Sequence, residues 1–448
     1  LDAWLAVSLL LLLSGCASYG VIENVPLTEA TATDSYSIKN RSGKRGSGDI
    51  VLTLAFSGGG TRAAALAYGV LEELRDTTVI IDGQPRRMID EIDTISSVSG
   101  GSFTSAYYGL YGERIFVDFK DEFLNRNVEH ELFQGLFNPL LWFSSTGRTE
   151  MAVKLYEEQV FHGATFADMQ RADGPLILIN ASDLGFGVRF SFVQEYFDLL
   201  CSDIASFPVA RAVTASSAVP LVFNPVVVEN YHDCKAAGKP EWMTAAAKRL
   251  AANPEMTQVV RGLETYYEED RRKYAHFVDG GITDNLGLRA IYEVIEVSGG
   301  AKATYEELGH KPPRYGVVIA VNASTDPEPE MDMSNRQPSI GETIGAMSNV
   351  QLHRYNDATL ELFQKSLGRW TEVLSTPDRP VTPYFVRLGF SDLEQPETRR
   401  FFNQVPTSFN LSEEQVDRLI EAGRELLRNN PDYQRLLADL GGAQGSSK

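Results

Sequence analysis

Three short blocks of this chain hold residues that could do chemistry together. Ser57-Gly58-Gly59-Gly60-Thr61-Arg62 closes one apolar run, Ser97-Val98-Ser99-Gly100-Gly101 closes a second, and Asp279-Gly280-Gly281 closes a third. Each reads as a turn at the carboxyl end of a buried strand, where open α/β sheets place their reactive groups. Ser99 is the candidate nucleophile. Its small neighbours allow a sharp strand-to-helix elbow, and the first amides of the next helix favour an attacking alkoxide. Gly58, Gly59 and Gly60 are candidate oxyanion-hole donors, because bare amides can meet a developing negative charge at about 3 Å. Arg62 follows, and a guanidinium there can hold a substrate phosphate or aid the site electrostatically. Asp279 is the candidate base. It stands 180 positions from the serine (279 − 99), so only the fold can join them. Such a set can hydrolyse an ester with no histidine beside the serine.

Each block alone also has an ordinary reading. Serines precede glycines in many loops, a glycine run with an arginine can be a tight turn, and an aspartate often shapes its own turn. The usual nucleophile elbow also has glycine two places before the serine, where this chain has Ser97.

The elements that must position these blocks alternate along the chain. Ile50 to Phe56 is a β-branched and apolar run, hence a strand, and Leu66, Val70 and Leu74 recur at helical spacing after it. Ile92 to Ser97 reads as a second strand, with a helix through Phe103 to Tyr111. Leu176 to Ile179 is a buried strand, and Phe190 to Phe192 pairs nearby. Val209 to Ala218 is a small-residue helix stopped by Pro220. Tyr315 to Asn322 is a strand, Glu342 to Trp370 a long helix, and Tyr384 to Leu388 an edge strand after Pro383. Ser412 with Gln415 forms a capping-box pattern that opens an amphipathic helix to Leu427. This order predicts an α/β fold: a mostly parallel central sheet with helices on both faces, in three layers. The expected domain covers 49–440, with a helical insertion at 234–274, a flexible tether at 17–48 and a frayed tail at 441–448.

The chain has 448 residues and a net charge of −19. Nucleic-acid binding is not expected, because phosphate neutralisation needs clustered Lys and Arg. Residues 1–16 read as a signal segment, with an apolar run too short to span a bilayer. The segment ends in Leu13-Ser14-Gly15-Cys16, which resembles the lipobox of bacterial lipoproteins. That resemblance implies a lipidated Cys16 and a membrane anchor. With Ala17 next, it implies the outer membrane of a Gram-negative envelope. In an oxidising compartment Cys201 and Cys234 can form a disulfide, and two buried free thiols are the alternative. Phe133 to Phe143 is the most apolar stretch outside the strands. It fits either a lid near an acyl pocket or core packing.

Taken together, the three blocks resemble the patatin-like phospholipases and, more distantly, the cytosolic phospholipases of animals. Order, strand context and spacing agree from about Ile50 to Leu288. Asn180-Ala181-Ser182-Asp183, Ala215-Ser216-Ser217-Ala218-Val219-Pro220 and Asn285 also look like family segments. The resemblance implies a lipid acyl hydrolase, with Ser99 as nucleophile, Asp279 as base, Gly58, Gly59 and Gly60 as oxyanion donors and Arg62 as an electrostatic aid. It implies no metal and no cofactor. Departures are Ser97, Ala63 and Gly287, where the family favours glycine, glycine and proline.

Two other readings compete. Gly58, Gly60 and Ala63 fit a dinucleotide-binding fingerprint, with Asp82 ending Val79-Ile80-Ile81 where a ribose-binding acid would fall. The chain could instead be a non-catalytic lipoprotein that binds lipid in a relic cleft. A histidine-based triad would draw on His130, His162, His232, His276, His310 or His353, and none of these sits in a glycine-flanked loop.

Overall fold

The computed structural model describes residues 19–28, 35–43, 45–127, 147–171, 174–220, 222–326 and 333–441. Cys16, the signal segment, the Phe133 to Phe143 stretch, His130 and most of the tail lie outside the described residues.

The central sheet has eight strands. In chain order they are β1 (Ile50–Phe56), β2 (Ile92–Val98), β3 (Leu176–Asp183), β4 (Val188–Ser191), β5 (Val226–Glu229), β6 (Tyr274–Asp279), β7 (Tyr315–Asn322) and β8 (Thr382–Gly389). In space the order is β8-β7-β1-β2-β3-β6-β5, with β4 on β3. The strands from β8 to β3 run parallel, which needs a helical crossover at each step. β4, β5 and β6 add antiparallel pairs at the other side. β8 is at an edge, as Pro383 requires, and β5 is a strand that the sequence pattern does not announce.

The helices that matter to the site are α1 (Thr61–Asp76), α2 (Gly100–Tyr111), α3 (Val209–Ser216), α4 (Leu288–Val297), α5 (Ile340–Leu374) and α6 (Glu413–Asn429). α1 follows β1 directly and is buried along nearly its whole length. It is covered by α6, which the Ser412 and Gln415 capping box opens. The two helices touch backbone to backbone: a Cβ on Gly69 would lie 2.0 Å from the Ile420 carbonyl oxygen. Arg428 and Arg424 of α6 then pair with Glu73 and Asp76 of α1 at 2.6 and 2.9 Å. α3 ends at Ser216, before the expected Ala218, and the Ala218 carbonyl beyond it accepts the Asp279 amide.

The expected insertion is helical, with helices Glu241–Arg249 and Pro254–Glu264. Cys201 and Cys234 are joined by a disulfide at a Cα separation of 5.6 Å, tying the entrance of that insertion to the body. Part of the segment expected as a flexible tether is packed instead. Val25–Pro26 pairs with Ser202–Asp203. Buried Asn24 donates to Ser202 Oγ and the Glu229 carbonyl, and buried Tyr36 exchanges hydrogen bonds with the Ile177 backbone. These side chains satisfy sheet-edge groups that a solvated linker would leave to water. Among the described residues no helix is long and apolar enough to cross a membrane.

The Gly69 contact yields a stability prediction. Gly69→Ala would force α1 and α6 apart, since a backbone carbonyl cannot rotate away as a side chain can. The expected loss is about 1–3 kcal/mol in urea unfolding, and an unchanged midpoint would contradict the packing.

Candidate active site

Ser99 sits at the turn from β2 to α2 with φ 50° and ψ −122°. A non-glycine residue rarely holds this conformation, and such strain concentrates where a side chain must be presented. The elbow presses on the glycine loop. A Cβ on Gly100 would lie 2.0 Å from the Gly60 carbonyl oxygen, and one on Gly101 would lie 2.7 Å from that of Ser57. Ser97 replaces the usual elbow glycine without exposing its hydroxyl, which meets Ser105 Oγ at 2.6 Å inside the core.

The sheet register brings the blocks level. β1 and β2 pair Phe56 with Ser97, so the glycine loop leaves β1 beside the elbow. Val98 stands opposite Asn180 on β3, and Asp279 stands opposite Ala181, the next residue. The tips of β2 and β6 therefore meet along β3 from opposite directions. β6 is one of the antiparallel strands of the mostly parallel sheet, so it reaches the Asp279 turn from the carboxyl end of β3. A Cβ on Gly280 would lie 2.9 Å from Val98 Cγ1, so only glycine lets the two tips close.

The three glycine amides are not equivalent. Gly58 N–H donates to the Asn285 carbonyl at 3.0 Å, so the expectation that it faces an oxyanion is corrected. Among the described residues the Gly59 and Gly60 amides have no partner within the chain. Both glycines occupy positive φ, 142° and 61°, which turns their amides away from the β1 ladder. Arg62 is also corrected as a phosphate ligand. It is buried, and its guanidinium donates to the carbonyls of Ala323 and Val405 and to Thr407 Oγ1. Burial pushes its pKa down to about 10, so it still carries its charge at neutral pH beside the loop.

Asp279 is buried, and its carboxylate accepts from Gly281 N–H at 2.7 Å. Burial pushes its pKa up to about 6. The Gly281 amide and the nearby Ser99 side chain act in the other direction. His276 lies on the exposed side of β6, His162 pairs with Glu122 at 3.2 Å, and His310 contacts the Ser42 carbonyl at 3.1 Å. Asp82 does not end a strand of the central sheet. It lies with Gly83 in the turn of a separate hairpin, Thr78–Ile81 with Gln84–Arg87, at φ 51° and 74°. A ribose-binding acid must follow the sheet strand beside the glycine loop, so the dinucleotide reading loses its second half.

The sequence model of the patatin-like phospholipases matches residues 54–292, more than half of the chain. The chain belongs to the patatin-like phospholipase family. Among solved structures, human GIVD cytosolic phospholipase A2 is similar at 12% identity with a TM-score of 0.42, over 88% of this chain and 60% of that one. Its complex with methyl gamma-linolenyl fluorophosphonate aligns at 12% identity and a TM-score of 0.40, over 88% and 59%. VipD from Legionella pneumophila aligns at 12% identity and a TM-score of 0.31, over 95% and 71%. The chain thus spans about 60% of the cytosolic phospholipase's length. Comparison with curated proteins gives no match.

In this member of the patatin-like phospholipase family the sequence blocks omit several supporting groups. Asn180 donates to the Ser97 carbonyl and Ser96 Oγ, both at 3.0 Å, bracing the tip of β2. Asn285 links the Gly58 amide to the Asp279 turn, and its own amide reaches Ser324 Oγ at 3.3 Å. Ser216 reaches both the elbow and the Asp279 turn. The family segments contain all three residues, but spacing alone assigns them no partner.

The buried carboxylate carries a stability signature. Native Asp279 keeps its proton up to about pH 6, whereas the ordinary value is 3.8. Folding is therefore penalised above pH 6, and the penalty fades as pH falls toward 4. Asp279→Asn is expected to be more stable than wild type by about 2–3 kcal/mol at pH 8. The gain should shrink toward pH 4 in urea unfolding. A variant less stable at pH 8 would contradict this electrostatic account.

Proposed function

We propose that the protein is a serine acyl hydrolase of the lipase or phospholipase A type, cleaving fatty acyl esters of membrane lipids with a Ser99–Asp279 dyad. The observation that carries the reading is that the fold brings together two turns 180 positions apart (279 − 99): Val98 and Asp279 stand opposite adjacent residues of β3, in turns whose close approach glycines allow. Membership of the patatin-like family supports lipid acyl hydrolysis as the general chemistry.

In this reaction Ser99 Oγ attacks the acyl carbonyl while Asp279 accepts its proton. The free amides of Gly59 and Gly60 hold the tetrahedral oxyanion, and the buried Arg62 charge stabilises it at longer range. Asp279 then returns the proton to the departing alcohol, leaving an acyl ester on Ser99. Water attacks that ester, again losing its proton to Asp279, which passes it to Ser99 Oγ as the Oγ–acyl bond breaks and the fatty acid leaves. Burial matters to the base: a carboxylate with a pKa near 6 is a stronger proton acceptor than one near 4, and it is still charged at neutral pH.

The lipid anchor at Cys16 and an outer-membrane location belong to the same proposal, supported by the Leu13-Ser14-Gly15-Cys16 pattern. Cys16→Ser is expected to move the protein from the membrane fraction to the soluble one and to abolish palmitate labelling. Retention in the membrane would remove the anchor from the proposal.

The enzymatic reading is tested on a soluble p-nitrophenyl ester and on mixed phospholipids with mass-spectrometric detection of products. Ser99→Ala and Asp279→Asn are each expected to lower kcat by about 10³-fold or more. Because Asp279 must be ionised to take the proton, wild-type kcat/KM should fall as pH drops through about 6. A serine-directed fluorophosphonate should label wild type and not Ser99→Ala. A folded wild type that neither labels nor hydrolyses would favour the non-catalytic lipid-binding reading.

A further inference from the structure

We propose that Ser216 is the positioning residue of this dyad, holding the nucleophile elbow and the base turn in register. The inference rests on the Ser99–Asp279 reading and extends it to a residue that touches no reacting atom.

Ser216 is the last residue of α3, and its side chain is fully enclosed. A serine hydroxyl offers one donor and two acceptor positions. All three are used here. The hydroxyl donates to the Asn180 carbonyl at 2.6 Å. It accepts the Ser99 backbone N–H at 2.9 Å. Its contact with Ser102 Oγ is 3.0 Å, and with its own proton on Asn180 it must be the acceptor there. One hydroxyl therefore ties the strained Ser99 amide, the first turn of α2 and the β3 carbonyl opposite Val98 into a single node.

The backbone of the same residue reaches the other half of the dyad. The Ser216 carbonyl accepts Gly280 N–H at 3.0 Å, and the Ala218 carbonyl accepts Asp279 N–H at 3.0 Å. The elbow and the base turn thus hang on one helix end. Ser99 stands at φ 50°, where an L residue stays only when its surroundings over-determine it. The bond from its N–H to Ser216 is such a constraint. Removing the hydroxyl leaves the buried Ser99 N–H, the Asn180 carbonyl and Ser102 without that partner. The elbow can then relax and carry Ser99 Oγ away from both Asp279 and the Gly59 and Gly60 amides.

The neighbouring Ser217 is an internal control. Its hydroxyl turns back to the Val213 carbonyl of its own helix at 2.8 Å and reaches no part of the dyad.

The test uses the full chain, with near-ultraviolet circular dichroism to establish folding. It measures kcat and KM on p-nitrophenyl butyrate and the second-order rate of fluorophosphonate labelling at Ser99. Wild type must label at Ser99; if it does not, the hydrolase reading fails and the inference falls with it. Given labelling, Ser216→Ala and the near-isosteric Ser216→Cys are expected to lower kcat and the labelling rate together by about 10- to 100-fold. KM should stay within about twofold. Ser216→Thr, which keeps the hydroxyl, should recover most of the loss, and Ser217→Ala should match wild type. A destabilised but correctly positioned site would show a lower melting temperature with wild-type labelling well below it. Folded Ser216→Ala or Ser216→Cys with wild-type kcat and labelling would overturn the proposal. So would failure of Ser216→Thr to recover the rate, or failure of both other variants to fold.

Discussion

The structure depends on a carboxylate kept out of water where two turns of the sheet meet. An isolated buried charge is costly, and Asp279 answers that cost with the Gly281 amide, the Ser99 hydroxyl and a pKa raised to about 6. The contact exists because two strands running in opposite senses end at adjacent residues of β3. A shift of either register by one residue would turn the side chain to the other face of the sheet and part the pair.

Close approach is what makes this junction possible, and glycine supplies it. At Gly100 and Gly280 a Cβ would collide with backbone atoms of Gly60 and Asn180 at 2.0 and 2.4 Å. These contacts leave no room for a flexible side chain to yield. Much of the restraint on the glycine loop comes from beyond the stretch matched by the family. Ser57 N–H bonds the Val321 carbonyl, Thr61 N–H bonds that of Ser408, and Arg62 reaches Ala323, Val405 and Thr407. Residues after 292 are therefore part of the site's support, although none of them is proposed to touch a substrate.

An ion-pair cluster around a buried arginine joins the N-terminal segment to the same machinery. Arg211 of α3 is enclosed and pairs with Glu23 and with Glu150, the latter at 2.6 Å. Such a cluster stabilises little beyond its desolvation cost, yet it fixes geometry well. It anchors the helix whose far end carries Ser216, so the packed segment at 19–28 bears on the placement of the elbow through one rigid element.

The residues show how much could be read without coordinates. The strands at Ile50, Leu176 and Tyr315 were legible because a buried parallel strand is mostly apolar, and glycine-rich punctuation marked where the reactive turns begin, including the one after the more polar Ile92 strand. The capping box at Ser412 was equally local. Other features depend on partners hundreds of residues away. The Gly58 amide looks as free as those of Gly59 and Gly60 until the Asn285 carbonyl arrives. Arg62 looks like a phosphate ligand until burial and three distant acceptors engage its guanidinium. Asp82 fits a fingerprint until its strand proves to be a hairpin outside the sheet. Residue type and local period thus determined which groups could react and which elements carry them, since those are properties of short segments. Tertiary structure alone decided the antiparallel sense of β6, the meeting of the Ser99 and Asp279 turns and the commitment of each buried donor, because hydrogen-bond satisfaction in the interior is settled only when the whole chain has folded.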